Sequence, residues 1–347
     1  MARIVVCGAQ TLYVRGGAES LVETLAAGLR ARGHQVDEVN LPFTDMPRSQ
    51  LVLGFLAWRL LHLKSVHGRL TDLLIATKFP SYAARHPNKV VWLVHQHRQA
   101  YDLYGTPYSD MHTRPDGWVA ARLVRWLDRW TLGEARRIFT ISENTAERLR
   151  RYNGLSATPL YPPPRLGPYL EPREYGDFVL GVGRFDEIKR FDLILRALGQ
   201  TRGPLRCVLV GDGMDRGRLQ ELARALGVGG RVTWAGRVDD KTLVDLYGRC
   251  LGVVYPPYDE DYGLVTVEAF LARKPVLTTS DTGGVLEFVE DGATGYVSPP
   301  TVEGLAAALD RLWGERERAP HLGAAGYERV RDITWDRVID RLTETLQ

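Results

Sequence analysis

At 347 residues, with 44% hydrophobic and 25% charged residues and eight Trp, the composition excludes a disordered or fibrous protein, and the length favours two α/β domains over a single core. No window supplies the roughly 18 apolar residues of a membrane span, and Cys7, Cys207 and Cys250, odd in number and set in apolar runs, argue against a disulfide framework or a zinc site and predict buried, reduced thiols. The net charge of +3 is unevenly split: residues 1–170 hold 22 Lys and Arg against 13 Asp and Glu, a net +9, and the remainder is net −6, so the first half suits an anionic acceptor or an acidic membrane surface, with no motif for nucleic acid.

Apolar β-branched runs alternate with helical periodicity along the chain, the pattern of βα units around a parallel sheet. Met1 to Gly8 is too short for the core of a secretion signal and lacks a cleavage pattern before the polar Gln10 and Arg15. It reads as a first strand, Arg3–Gly8, and the protein as cytoplasmic. Gly16-Gly17 turns into a helix over Ala18–Arg32 closed by Gly33, and Gln35–Asn40 returns as a strand. Further strands fall at Leu73–Thr77, Val90–Val94 and Arg137–Ile141, the last followed by Ser142 as the cap of a helix running to Arg151. Two basic, aromatic segments, Leu51–Leu70 and Trp118–Arg137, read as helices with one apolar face. Core packing accounts for most such stripes, and peripheral contact with a lipid-linked acceptor or an anionic bilayer is the sharper alternative.

The proline-rich segment Ala157–Pro172 is the natural interdomain linker. A second βα series follows, with strands at Phe178–Val182, Cys207–Val210, Val232–Trp234, Gly252–Tyr255 and Pro275–Thr278. The boundaries expected are 1–165, 172–325 and a tail 326–347, helical over Trp335–Leu346, that crosses back onto the first domain.

The most specific feature is EDYGLVTVEAF, in which Glu260 and Glu268 stand eight residues apart across a strand-to-helix turn. That spacing puts the first carboxylate on a loop before Gly263 and the second on the following helix, whose N-terminus aims backbone N–H groups at an anion such as a diphosphate. Glu260 then suits sugar hydroxyls and Glu268 a ribose; a merely solvated charge is not expected inside the apolar run LVTVEAFLA. Gly16-Gly17 would let the backbone approach a phosphate or an acceptor, although GGAES lacks the spacing of a dinucleotide fingerprint. His95 ends a strand at the edge where open α/β sheets hold their ligands.

The chain resembles the family 4 glycosyltransferases of the GT-B fold, whose hallmark is a Glu-x7-Glu motif followed by a Pro-Val strand and an Asp-x-Gly-Gly turn. The same order stands in Glu260 to Glu268, Pro275-Val276 and Asp281-Thr282-Gly283-Gly284, then Glu287 and Asp291-Gly292. Upstream it continues in Val182-Gly183-Arg184-Phe185 with Lys189 and in Leu209-Val210-Gly211-Asp212-Gly213. Coverage is thinner in the first half, in Gly16-Gly17-Ala18-Glu19, His95 and Thr140-Ile141-Ser142.

The resemblance implies two doubly wound, Rossmann-like α/β domains facing a cleft, the first for an acceptor and the second for a nucleotide-sugar donor, and glycosyl transfer with retention. Arg184 and Lys189 would stabilise the departing diphosphate as fixed cations, so no metal or other cofactor is expected. Gly17 and the backbone of Tyr262, Gly263, Leu264 and Val265 would hold sugar and diphosphate, Val238 in the Gly236–Asp239 stretch would hold the base, and His95 would contact the transferred sugar. His97, Arg98, Tyr101 and Tyr104 fall on the acceptor side. A UDP-sugar is expected ahead of a GDP-sugar, with a glycan, lipid-linked or small-molecule hydroxyl as acceptor. The alternatives are a GT-B sugar-nucleotide epimerase or phosphorylase and a non-catalytic sugar-nucleotide-binding protein. Turnover of a nucleotide sugar without acceptor would separate an epimerase from a transferase.

Overall fold

The computed structural model describes residues 1–11, 16–66 and 68–346. Arg15, His67 and Gln347, which fall inside segments read above, lie outside the described residues. The chain divides into two units, Met1–Arg165 with Ile333–Gln347, and Leu166–Asp332.

The first unit runs β1 (Arg3–Thr11), α1 (Gly17–Ala31), β2 (Gln35–Phe43), α2 (Ser49–Leu60), β3 (Ser65–Val66), β4 (Arg69–Leu70), β5 (Leu73–Lys78), β6 (Lys89–His95), α3 (Pro115–Leu132), β7 (Arg137–Thr140), α4 (Glu143–Asn153) and β8 (Thr158–Pro159). Its main sheet is parallel in the order β2-β1-β5-β6-β7-β8, so the order reverses between β1 and β5. Strands β5 and β6 are buried throughout except at His95, as continuous apolar runs covered on both faces should be. Ser142 caps α4, accepting from the Thr145 N–H at 3.0 Å, and Gly154 closes it in the left-handed region.

Two readings of this unit change. The segment Leu51–Leu70 is not one helix: Leu61 is extended, and the chain then folds through Gly68, at φ 75°, into the antiparallel hairpin β3-β4. The proline-rich segment is not only a linker, since Thr158–Pro159 pairs with β7 at the sheet edge, where a missing N–H costs no inner ladder bond.

The second unit runs β9 (Phe178–Val182), α5 (Phe191–Gln200), β10 (Arg206–Val210), α6 (Arg216–Ala225), β11 (Val232–Gly236), α7 (Asp240–Arg249), β12 (Gly252–Val254), α8 (Leu264–Leu271), β13 (Val276–Thr279), β14 (Gly295–Ser298), α9 (Val302–Gly314) and α10 (Ala319–Val330). Its sheet is parallel in the order β11-β10-β9-β12-β13-β14, reversing between β9 and β12. Strand β14 was not expected. Cys7, Cys207 and Cys250 are free and buried, and burial pushes the thiols of Cys207 and Cys250 up to about 12.

From Ile333 the chain rejoins the first unit through α11 (Trp335–Thr343), so residues 326–332 stay with the second unit rather than with the tail. Val338, Ile339 and Leu342 are buried, and a Cβ on Gly28 of α1 would meet Ile339 Cδ1 at 2.7 Å. Trp335 packs edge-on against Trp92 of β6 at 6.0 Å, and Arg32 bonds the carboxylates of Asp336 and Asp340.

Candidate functional site

In an open parallel sheet, ligands sit beyond the carboxyl ends of the strands, at the point where the strand order reverses. In the second unit that point lies between β9 and β12, and the loops after these strands carry Lys189 and Glu260. Lys189 donates from Nζ to the Tyr255 hydroxyl at 3.1 Å and to the Glu260 carboxylate. Burial alone would lower the Lys189 ammonium; the Glu260 carboxylate and the Tyr255 hydroxyl hold it raised. Residues 71 positions apart are thus fixed as an ion pair whose two side chains keep 16% and 18% of their surface in contact with solvent.

Backbone contacts position these loops. A Cβ on Gly211 would fall 1.9 Å from the Gly183 carbonyl oxygen and one on Gly213 would fall 2.3 Å from that of Phe185, so the loop after β10 packs directly on the Gly183-Arg184-Phe185 segment. The Phe185 N–H donates to the Asp212 carbonyl at 3.0 Å. Glu260 is held by its own N–H to the Thr282 carbonyl at 3.1 Å and by the Gly284 N–H to its carbonyl at 2.8 Å.

Arg190, which the sequence reading did not single out, ties this frame together. Its guanidinium donates to the carbonyls of Pro256 and Pro257 and to both Asp281 oxygens, each at 2.7 Å, and to the Thr279 hydroxyl at 2.9 Å. One side chain thereby joins the loops after β12 and β13. Burial would raise the Asp281 carboxyl, and Arg190 with Thr279 holds it below its ordinary value.

Gly263 caps α8 at φ 83°, and a Cβ there would meet Val285 Cγ2 at 2.8 Å. Tyr262 is buried edge-on against Phe288, while Leu264 and Val265 are half-buried in the first turn. In the same turn the buried Thr266 hydroxyl has no hydrogen-bond partner among the described residues. Glu268 accepts from the Tyr247 hydroxyl at 2.7 Å, and burial followed by this carboxylate pushes that hydroxyl well up. Val238 is half-buried on the loop after β11, beside Asp239, which caps α7 through the Thr242 N–H at 2.8 Å. Arg184 is exposed and pairs with Asp186 on the same loop at 3.0 Å.

The first unit holds the remaining candidates. Gly17 opens α1, where the Gly16 N–H donates to Glu19 at 2.9 Å and Glu19 pairs with Lys78 at the end of β5. Beside this pair, between α1 and strands β1 and β2, lies a cavity of about 60 Å³. His95 ends β6 half-buried and donates from Nδ1 to the Gln96 carbonyl at 2.9 Å, which sets its tautomer. Arg98 is paired with Asp102, and Tyr104 stacks edge-on with His112 at 6.0 Å.

His97 and Tyr101 depart from the acceptor-facing placement expected of them, because both are interior. His97 packs between Phe43 and Phe79, and burial lowers it to about 4. The Tyr101 hydroxyl donates to buried Asp128 at 2.7 Å. Partners distant in sequence, Phe43 and Phe79 for His97 and Asp128 for Tyr101, fall outside any local window and draw these rings inward.

A family model described as Glycosyltransferase Family 4 matches residues 15–162, and one described as Glycosyl transferases group 1 matches residues 170–329. The chain is 34% identical over 175 residues to a D-inositol 3-phosphate glycosyltransferase of Nocardia farcinica, covering 47% of this chain and 39% of that protein. It is 26% identical over 239 residues to the human alpha-1,3/1,6-mannosyltransferase ALG2, covering 60% of this chain and 57% of that one. The chain therefore spans well under two thirds of these curated relatives. Among solved structures it superposes on a sucrose-phosphate synthase from Thermosynechococcus elongatus with a TM-score of 0.74 at 21% identity, covering 99% of this chain and 98% of the other. It superposes on HepE of Anabaena, in complex with UDP and glucose, with a TM-score of 0.73 at 17% identity, covering 99% of each. With both halves matched by glycosyltransferase models and both sheets in Rossmann-like order, the chain belongs to the family 4 glycosyltransferases and has the GT-B fold.

Proposed function

We propose that the chain is a retaining, metal-independent glycosyltransferase that takes a sugar from a nucleotide-sugar donor, a UDP-sugar ahead of a GDP-sugar, to an acceptor hydroxyl. The observation that carries this reading is the Lys189–Glu260 pair at the strand reversal of the second unit, framed by Arg190 and followed by the N-terminus of α8. The choice of UDP draws support from HepE, whose structure contains UDP and glucose. In the proposed step the bond from the anomeric carbon to the phosphate oxygen breaks, the acceptor oxygen bonds the same face, and the acceptor proton passes to the leaving phosphate. Lys189 and Arg184 stabilise the charge that develops there, Glu260 orients the sugar hydroxyls, and Glu268 takes the ribose. Acceptor recognition falls to the first unit.

A thermal-shift panel of UDP, GDP, ADP and dTDP tests the donor, since a ligand that binds only the folded state raises its melting temperature. UDP should give the largest shift. Transfer measured with and without EDTA tests the metal: unchanged turnover is expected, and loss restored by magnesium or manganese would refute metal independence.

A further inference from the structure

Glu268, the carboxylate assigned above to the ribose, is half-buried on α8 and accepts from a residue of a different helix: the Tyr247 hydroxyl of α7 donates to its Oε2 at 2.7 Å. Of these two side chains the tyrosine is the fixed one. It is fully buried near the end of α7, and its carbonyl accepts from the Cys250 Sγ at 3.4 Å. The carbonyls of the next two residues, Gly248 and Arg249, accept from the N–H groups of Arg173 and Gly176 at 3.1 and 2.8 Å. A Cβ on Gly248 would fall 3.1 Å from the Glu171 carbonyl oxygen, so the end of α7 is seated directly on the segment that leads into β9. A glutamate side chain loses much more rotamer freedom when it is ordered, and it takes its direction from the partner that holds it.

Burial, followed by the Glu268 carboxylate, raises the Tyr247 hydroxyl well above its ordinary value, so the phenol keeps its proton as the donor of this bond. Phenylalanine would fill the same space and leave the carboxylate without this donor, so packing explains the ring but not the hydroxyl. The same helix also borders the stretch assigned to the base. Asp239, which caps α7, follows Val238 on the loop after β11, and Tyr247 stands about two turns further along. One helix thus carries the base stretch at its start and the donor to the ribose carboxylate near its end.

We propose that Tyr247 is a positioning residue for the nucleotide: its hydroxyl orients the Glu268 carboxylate toward the ribose hydroxyls and so gives the site its preference for a ribonucleotide over a deoxyribonucleotide. This rests on the ribose assignment of Glu268, and the tyrosine acts through that carboxylate rather than on the donor itself.

The test is calorimetric affinity for UDP, 2′-deoxy-UDP and 3′-deoxy-UDP in the full chain, compared among wild type, Tyr247→Phe, Glu268→Gln and the double variant, each checked for folding by its melting temperature. Wild type should bind UDP about tenfold or more tightly than at least one deoxy analogue, as loss of a hydrogen bond to a charged group predicts. Tyr247→Phe keeps the ring and should weaken UDP by about fivefold while leaving the affinity for that analogue nearly unchanged, so the discrimination shrinks. In the Glu268→Gln background the same substitution should change UDP affinity little further, because the two side chains act as one unit. Wild-type discrimination in folded Tyr247→Phe overturns the proposal and leaves the ribose assignment standing. So does an equal loss of affinity for UDP and both analogues, which would make the contact a tie between two helices and nothing more. Failure of wild type to bind UDP, or its indifference to both ribose hydroxyls, overturns the proposal and the ribose assignment together.

Discussion

Arg190 adopts a left-handed backbone, φ 51° and ψ 42°, at a position where glycine would fit without strain. Its bonds to Asp281, Thr279 and two proline carbonyls offset that cost, which makes the side chain, rather than the backbone conformation, the reason for arginine here. Arg190→Gly should therefore relieve the backbone and still loosen the loops that bear Glu260 and Gly284. A loss in kcat/KM of about tenfold or more is expected, with the fold intact by circular dichroism; an unchanged value would show that the loops hold without the clamp. The two glutamates of the motif should separate kinetically. Glu268, assigned to the ribose, which does not react, should when changed to Gln mainly raise the donor KM. Glu260→Gln should mainly lower kcat, because a misaligned sugar is lost from the transition state more than from the ground state. Calorimetric affinity for UDP should persist in Glu260→Gln, and its disappearance there, with no change in Glu268→Gln, would reverse the two assignments.

At the scale of elements, the βα alternation of both halves was legible because buried parallel strands write themselves as unbroken apolar runs, as in VVWLV and CVLV. The turn between Glu260 and Glu268 was legible for a local reason too: Gly263 is the residue a left-handed cap requires. Short elements were not. The strand Gly295–Ser298 and the hairpin at 65–70 owe their existence to neighbouring backbone rather than to periodicity. The inward rotation of His97 and Tyr101 was equally hidden, since it depends on Phe43, Phe79 and Asp128, all distant in sequence. Burial within α3 raises the Asp128 carboxyl from 3.8 to about 7, against the hydroxyls of Tyr101 and Tyr82. The fold favours the protonated form, so between those two values the native chain keeps a proton that the unfolded chain has released. The stabilisation is full below this window and is lost as the pH rises through about 7. Urea midpoints at mildly acidic and mildly alkaline pH should show the decline, and Asp128→Asn, with no proton to exchange, should flatten it. An unchanged slope in that variant would assign the effect elsewhere.

For the molecule as a whole, the division is unequal in kind: Leu166–Asp332 is continuous, whereas the other unit is assembled from Met1–Arg165 and Ile333–Gln347. Removing residues 333–347 uncovers Gly28 of α1 where Ile339 packs and takes Trp335 from Trp92 of β6, together with the buried Val338 and Leu342. Each aliphatic side chain lost from such a seam costs about 1.5–3 kcal/mol, so truncation before Ile333 should lower the unfolding transition of the first unit while the UDP-dependent shift of the second survives. Loss of both together would mean that α11 supports the second sheet as well.

The return of α11 also sets an order of events during synthesis. A ribosome delivers the chain from Met1 onward at about 5–20 residues per second, and every strand of the second sheet has been made before Trp335 exists. The second sheet can therefore close first, while α1 still waits with Gly28 facing a helix that has not yet been translated. During that interval the older half of the polypeptide is the less finished one, and it is the half that a holding chaperone would recognise.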